Sequence, residues 1–380
     1  MNVTPHNPSG RFGDRAAIVV APRTKAWKST VWRRQLRSIW AVILRTIPRS
    51  AVCILCIFVP AVAQDVTPAL NSVRQQLIVV TGVPGTDEYK ATFESWATRW
   101  RVAAEQGGSD CTLIGSDAGS TTDLENLKTA IDASISVETA EPLWVVFIGH
   151  GTFDGRTASL NLTGPDISSE MMAELLQPAK RPLAFIACSS CSGPFLSALS
   201  GPNRIVITAT KDGNQIQYSR FGEALSLAIS GLDADINRDG QTSLLEAWLF
   251  ASRRTAEYYT NEGRLATEHA LLDDNGDEKG TRVDAYEADR PRANIENADQ
   301  LDGANAARWH FIPSDEERRL TPEQRKTRDE LEAKLEALRK RREELSETEY
   351  LLQLEELLVP LARLYEAVDE SAVPTETLKQ

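Results

Sequence analysis

Two runs, Leu143-Trp144-Val145-Val146-Phe147-Ile148 and Leu183-Ala184-Phe185-Ile186-Ala187, contain no polar side chain. Runs this short and this apolar read as strands of a parallel sheet buried on both faces. The first leads into Gly149-His150-Gly151. The second, bounded by Pro182, leads into Cys188-Ser189-Ser190-Cys191-Ser192-Gly193. Open α/β sheets carry their chemistry outside the carboxyl ends of such strands. An imidazole at one end and a thiol at the next form a candidate base and nucleophile pair.

The rest of the region alternates in the same way. Gln76 to Gly82, Cys111 to Gly115 and Arg204 to Ala209 read as further strands. Between them, Thr86 or Asp87 caps a helix reaching about Glu105, with Tyr89, Phe93, Trp96, Trp100 and Val102 as a core-facing stripe. Thr121 or Thr122 caps another, with Leu124, Leu127, Ile131 and Ile135 on one face. Asp154-Gly155 predicts a small hairpin, and helices are expected over Ser168 to Leu176, Phe195 to Leu199 and Phe221 to Ile229. Apolar strands alternating with helices predict an α/β fold, a parallel sheet sandwiched by helices. Gly-x-Gly-x-x-Gly is absent after the first strand, as is Gly-Lys-Ser/Thr, so nucleotide chemistry is unsupported.

Residues 1–63 have a different composition. Ten basic residues stand against Asp14 alone, and the apolar stretch Ala51 to Val59 then reaches Pro60-Ala61-Val62-Ala63. This is the pattern of a secretory signal peptide cleaved after Ala63, with an apolar core too short to span a bilayer. Export to the periplasm or outside the cell is the expectation, with no membrane association after cleavage. The chain carries a net charge of −12, and without its basic leader the remainder is more acidic still. Such a surface is a poor partner for nucleic acid. Cys53 and Cys56 leave with the leader; Cys111, Cys188 and Cys191 are too few for a disulfide scaffold.

The expected domains are an α/β domain over 64–232, a helical extension with acidic loops over 233–313, and a charged helical tail over 314–380. Asp235-Ile236-Asn237-Arg238-Asp239-Gly240-Gln241-Thr242-Ser243-Leu244-Leu245-Glu246 matches the EF-hand calcium loop at each ligand position. Asp235, Asn237 and Asp239 offer side-chain oxygens, Gln241 its carbonyl, Ser243 a hydroxyl or a bridging water, and Glu246 two oxygens, with Gly240 at the sharp turn. A structural calcium ion is expected, with an acidic helix-capping loop as the alternative. A second loop, Asp273-Asp274-Asn275-Gly276-Asp277-Glu278-Lys279-Gly280, has the Asp-x-Asn-x-Asp start but Glu278 where glycine belongs and Asp284 as the closing residue. It reads equally well as a polar turn. In the tail, Thr321-Pro322-Glu323-Gln324 and Ser346-Glu347-Thr348-Glu349 are capping boxes. The leucine stripes that follow them, Leu331 to Leu345 and Leu351 to Leu364, predict a helical hairpin that packs back on the sheet domain or pairs with another chain.

An apolar strand ending in His-Gly, followed by one ending in Ala-Cys and small residues, resembles the caspase-like clan of cysteine peptidases. Within that clan the legumain family is the most similar. His150-Gly151-Thr152-Phe153-Asp154-Gly155 is similar to its His-Gly-Ser/Thr-x-x-Gly segment, and Ala187-Cys188-Ser189-Ser190 to its Ala-Cys-x-Ser. The resemblance covers about residues 76 to 232. It implies a caspase-like sheet, hydrolysis of a protein or peptide substrate, His150 as acid/base, Gly151 as oxyanion donor and Cys188 as nucleophile. The family also expects Ser-Gly two residues on, and aligning on Ser192-Gly193 puts Ser190 at the nucleophile position; Cys191 is a third candidate. Two rival readings accompany it: a catalytically inactive caspase-like binding module, and a thiol–disulfide exchanger using Cys188-x-x-Cys191.

Overall fold

The structure, a computed structural model, describes residues 74–115, 122–292 and 300–371. The expected leader over residues 1–63, with Cys53 and Cys56, lies outside the described residues, as does Thr121.

Alternation along each strand builds two cores at once. The chain runs β1 (Gln76–Thr81), α1 (Asp87–Gly107), β2 (Asp110–Ile114), α2 (Asp123–Ile135), β3 (Leu143–Ile148), then a small antiparallel sheet of β4 (Gly151–Phe153), β5 (Ala158–Leu160) and β6 (Ile167–Ser168). It continues through α3 (Ser169–Leu176), β7 (Leu183–Cys188), α4 (Gly193–Leu199), β8 (Arg204–Thr208), α5 (Phe221–Ile229), α6 (Leu244–Asn261) and β9 (Leu271–Asp273). Leu77, Val79, Trp144, Val146, Ile148, Ala184 and Ile186 face one side, against Phe93, Trp96 and Trp100 of α1, Phe221 and Leu225 of α5, and Trp248 of α6. Their neighbours Ile78, Val80, Val145, Phe147 and Phe185 face the other, against Leu127 and Ile131 of α2, Met172 of α3, and Phe195 of α4. The period of two that sends successive side chains to opposite faces is thus filled on both sides.

The sheet has six strands in the order β2-β1-β3-β7-β8-β9. The first five are parallel and β9 runs antiparallel to β8. The fold is a mixed α/β sandwich around a mostly parallel sheet. β9 comes from the stretch expected as a helical extension, and its three residues are too few to show a period. That stretch is not a separate layer: Ala234, Leu244, Trp248, Leu272 and Phe311 lie in one core with Trp96 and Trp144, and the Phe311 ring meets Trp144 edge-on at 5.1 Å.

Arg181 enters β7 buried, at 2% exposure. Its guanidinium donates to the carbonyls of Glu141 (2.9 and 2.7 Å), Pro142 (3.1 Å) and Ser134 (3.2 Å), tying the start of β3 to the end of α2. Burial pulls its pKa below the usual arginine value. Arg181→Met removes the donors but not the buried carbonyls, and an expected loss on the order of 3 kcal/mol is checked by the midpoint of urea unfolding.

The tail forms α7 (Asp315–Arg318), α8 (Pro322–Lys340) and α9 (Glu347–Ser371), with Pro360 inside α9. Both expected capping boxes form: Gln324 N donates to Thr321 Oγ1 at 3.2 Å, and Glu349 N to Ser346 Oγ at 3.3 Å. α8 and α9 pack on each other and are tied to the sheet domain by Arg325 to Glu141 at 3.2 Å. Arg318 Nη2 also donates to the Gln106 carbonyl at 2.6 Å. Leu335, Leu338 and Val368 are buried, whereas Leu351, Leu352 and Leu358 are exposed. No helix among the described residues is long and apolar enough to cross a membrane.

Candidate functional site

β3 and β7 are hydrogen-bonded neighbours, with Ile148 opposite Cys188, so the His150 and Ser190 turns leave the sheet side by side. The chain turns so closely there that a Cβ on Gly151 would lie 2.3 Å from the Ser190 carbonyl oxygen; only glycine fits.

His150 is half-buried among aromatic rings, edge-on to Tyr89 (4.9 Å between centroids) and Phe93 (5.2 Å), with Tyr218 at 6.2 Å. Its Nε2 lies 3.2 Å from the Pro84 carbonyl oxygen. A carbonyl only accepts, so this contact places the proton on Nε2 and leaves Nδ1 as the basic nitrogen. The third group that orients the imidazole is therefore a backbone oxygen, which no side-chain motif in the sequence could reveal.

Three candidates for the attacking group occupy different settings. Cys188 is 1% exposed and sits under α5, where a Cβ on Gly222 would lie 2.7 Å from the Cys188 Cβ and 2.6 Å from the Trp96 ring. Burial, with Glu268 adding to it, pushes this thiol far above the usual cysteine range. Cys191, 2% exposed, has a left-handed backbone (φ 56°) and donates its N–H to the Gln215 carbonyl at 3.0 Å. Its thiol is also pushed up, by burial first and by Asp212. A thiol acts as a thiolate, and both settings disfavour that form. Both are free cysteines; like Ser190, which is 3% exposed and bonds through its Oγ to Gly151, neither is hydrogen-bonded to His150.

Ser190 differs. Its Oγ accepts from Gly151 N at 3.2 Å and donates to the Gly151 carbonyl at 3.1 Å. The turn is fixed from behind: Ser192 Oγ donates to the Ser189 carbonyl at 2.9 Å and accepts from Thr210 N at 3.1 Å, while Gly193 N donates to Thr210 Oγ1 at 3.1 Å. The group brought to the Gly151 N–H is thus a hydroxyl.

The wall carrying Tyr218 is held by a residue with no motif. Glu268, 3% exposed, accepts from Ser219 Oγ (2.6 Å), Arg220 N (2.9 Å), Phe221 N (3.3 Å) and Tyr259 Oη (3.1 Å). It caps α5 and fixes the turn after Tyr218.

The first acidic loop keeps the expected turn, with Gly240 at φ 92°. Asp235 accepts from Asp239 N (3.2 Å) and Gly240 N (3.0 Å), Asn237 Oδ1 from Asp239 N (2.8 Å), and Asp239 Oδ1 from Gln241 N (3.0 Å). Glu246 is 2% exposed. Its Oε1 accepts from Ile236 N and Asn237 N (2.9 and 3.0 Å) and its Oε2 from Ser243 N and Oγ (2.9 and 2.8 Å). Four donors therefore engage the carboxylate that the loop pattern assigns to the ion.

No family model matches this chain, and no curated protein matches it. Among solved structures it is similar to a Geobacter sulfurreducens protein, at 13% identity, covering 52% of this chain and 92% of that one, with a TM-score of 0.36. It is similar to the Drosophila initiator caspase Dronc at 11% identity, 56% and 84% coverage, and a TM-score of 0.37. Caspase-1 from Spodoptera frugiperda gives 13% identity, 56% and 91% coverage, and 0.34. Likeness of this extent assigns neither a family nor an activity.

Proposed function

We propose that the chain is a hydrolase of caspase-like build that cleaves peptide bonds, with His150 as base and Ser190, rather than Cys188 or Cys191, as the attacking group. The observation that carries this reading is the Gly151 N–H directed at the Ser190 hydroxyl, 3.2 Å away, from the residue that follows His150 in the chain; the Nε2 of that imidazole is engaged by a backbone carbonyl. In this mechanism Ser190 Oγ adds to the scissile carbonyl carbon as His150 Nδ1 takes its proton. Gly151 N–H exchanges its bond to the hydroxyl for one to the developing oxyanion. The C–N bond then breaks, the imidazolium returns the proton to the leaving amine, and water hydrolyses the acyl-serine. The legumain branch is the finer part of the proposal and rests on His150-Gly151-Thr152 and the following Gly155. Labelling with a peptidyl phosphonate tests it. Modification at Ser190 that disappears in His150→Ala is expected, and failure to label Ser190 in folded protein counts against it.

A second reading, a non-catalytic module that binds a peptide or protein, is favoured by one observation. The Ser190 hydroxyl satisfies both the N–H and the carbonyl of Gly151 while only 3% exposed, a closed arrangement that suits structure as well as reactivity. Export through the basic leader belongs to the proposal too, and sequencing a secreted chain that starts at Gln64 checks it. So does a partner, or a second copy, on the exposed leucines of α9. We also propose calcium in the Asp235–Glu246 loop, where Asp235, Asn237, Asp239, Gln241, Ser243 and Glu246 would hold it. Binding there requires Glu246 to release the Ile236 and Asn237 N–H groups.

A further inference from the structure

β9 ends in Asp273, 1% exposed. Its Oδ1 accepts from Gly276 N at 3.0 Å, while its Oδ2 is buried and meets no hydrogen-bond partner. A buried carboxylate oxygen without a donor is costly, and its surroundings show what would satisfy it. One oxygen each from Asp273, Asp277 and Asp302 lies within 4.8 Å of the others. Oxygens that close need only small shifts to meet one cation at the calcium–oxygen distance of about 2.4 Å.

Asp302, also 1% exposed, is set firmly. Its Oδ1 accepts from Asp274 N (3.0 Å) and Asn275 N (3.3 Å), and its Oδ2 from the Thr281 hydroxyl (2.7 Å). No lysine or arginine among the described residues forms an ion pair with any of the three carboxylates, so their mutual repulsion is offset only by neutral hydrogen-bond donors, among them Lys279 N to Asp277 Oδ1 at 2.9 Å. The loop itself has the matching shape: Glu278, at the sixth position counted from Asp273, takes the left-handed turn (φ 66°) that glycine takes in the first loop. Asp284, where the closing ligand of such a loop falls in sequence, is instead exposed and pairs with Arg282 at 3.3 Å. Asp302 supplies the missing carboxylate from outside the loop.

We propose that Asp273, Asp277 and Asp302 together bind one calcium ion, which fastens the end of β9 to the 300–306 segment. All donors are oxygens, one from the end of β9, one from the loop that follows it and one from a distant segment. That suits calcium, which tolerates irregular geometry, better than magnesium, which demands a near-ideal octahedron. Neighbouring bonds already join the same two segments, with Gly303 N (2.9 Å), Asn305 N (2.8 Å) and Ala306 N (2.8 Å) all donating to Asp274.

Equilibrium dialysis of the full chain against calcium tests this. Asp302→Asn and Asp277→Asn are each expected to bind one ion fewer than the unaltered chain, and Asp277→Asn added to Asp239→Asn, in the first loop, is expected to remove one ion more than Asp239→Asn alone. Asp277 is exposed, so its variant decides the matter if Asp302→Asn fails to fold by circular dichroism. Folded Asp277→Asn with undiminished calcium overturns the proposal. So does an unaltered chain that binds none, or an ion lost in Asp239→Asn but not in Asp277→Asn.

Discussion

Ser190→Ala is expected to lower the hydrolysis of a peptide substrate by roughly 10³-fold or more, the scale seen when an attacking group is deleted. The same measurement on Cys188→Ala is expected to show unchanged turnover with about 1 kcal/mol less stability, since that side chain fills space beneath Trp96 and Gly222. Ser190→Cys is the informative third variant. It puts a thiol beside the Gly151 N–H, and residual turnover should become sensitive to iodoacetamide. If turnover is absent in the unaltered chain and Ser190→Cys acquires no reactivity above a free thiol, the peptide-binding reading replaces the hydrolase.

The largest effect on stability is expected at Glu268. Replacing it with alanine leaves the Ser219 hydroxyl and the N–H groups of Arg220 and Phe221 facing an unfilled space, while the Tyr259 hydroxyl keeps Thr267 Oγ1 at 2.8 Å. At about 1 to 3 kcal/mol for each buried group left unpaired, partly relieved by water, the loss should be on the order of 4 kcal/mol. Glu268→Gln keeps an acceptor oxygen and should lose less. Thermal unfolding of both variants checks the order. Because the turn after Tyr218 is fixed by these bonds, peptide binding at His150 should weaken in the alanine variant even below its melting point.

Local signals made much of this molecule legible in its sequence. The runs at Leu143 and Leu183 read as buried strands and are strands, and Thr122 and Thr321 each begin a helix with a capping box; Ser243, read as a calcium ligand, begins one too. What failed to show was whatever depends on distant parts of the chain. The sequence offered two registers for the nucleophile, one anchored on Ala187-Cys188 and one on Ser192-Gly193. The interlock of Ser192 with Thr210 fixes the turn that carries both, and no window around Cys188 contains Thr210. The Pro84 carbonyl had no signal because every residue carries one. Asp302 is an unremarked aspartate until the fold sets it against Asp273.

The edges of the sheet limit how copies of this chain can associate. On the outer side of β9, Leu272 N donates to the Thr281 carbonyl (3.1 Å) and Thr281 N to the Leu272 carbonyl (2.8 Å), so the main-chain groups there are already taken. An extra strand has nothing to pair with on that side. β2 pairs with β1 alone, and its Asp110, Thr112 and Leu113 are exposed. A continuation of this sheet into a second molecule would therefore have to join through β2, at the opposite edge from Asp273.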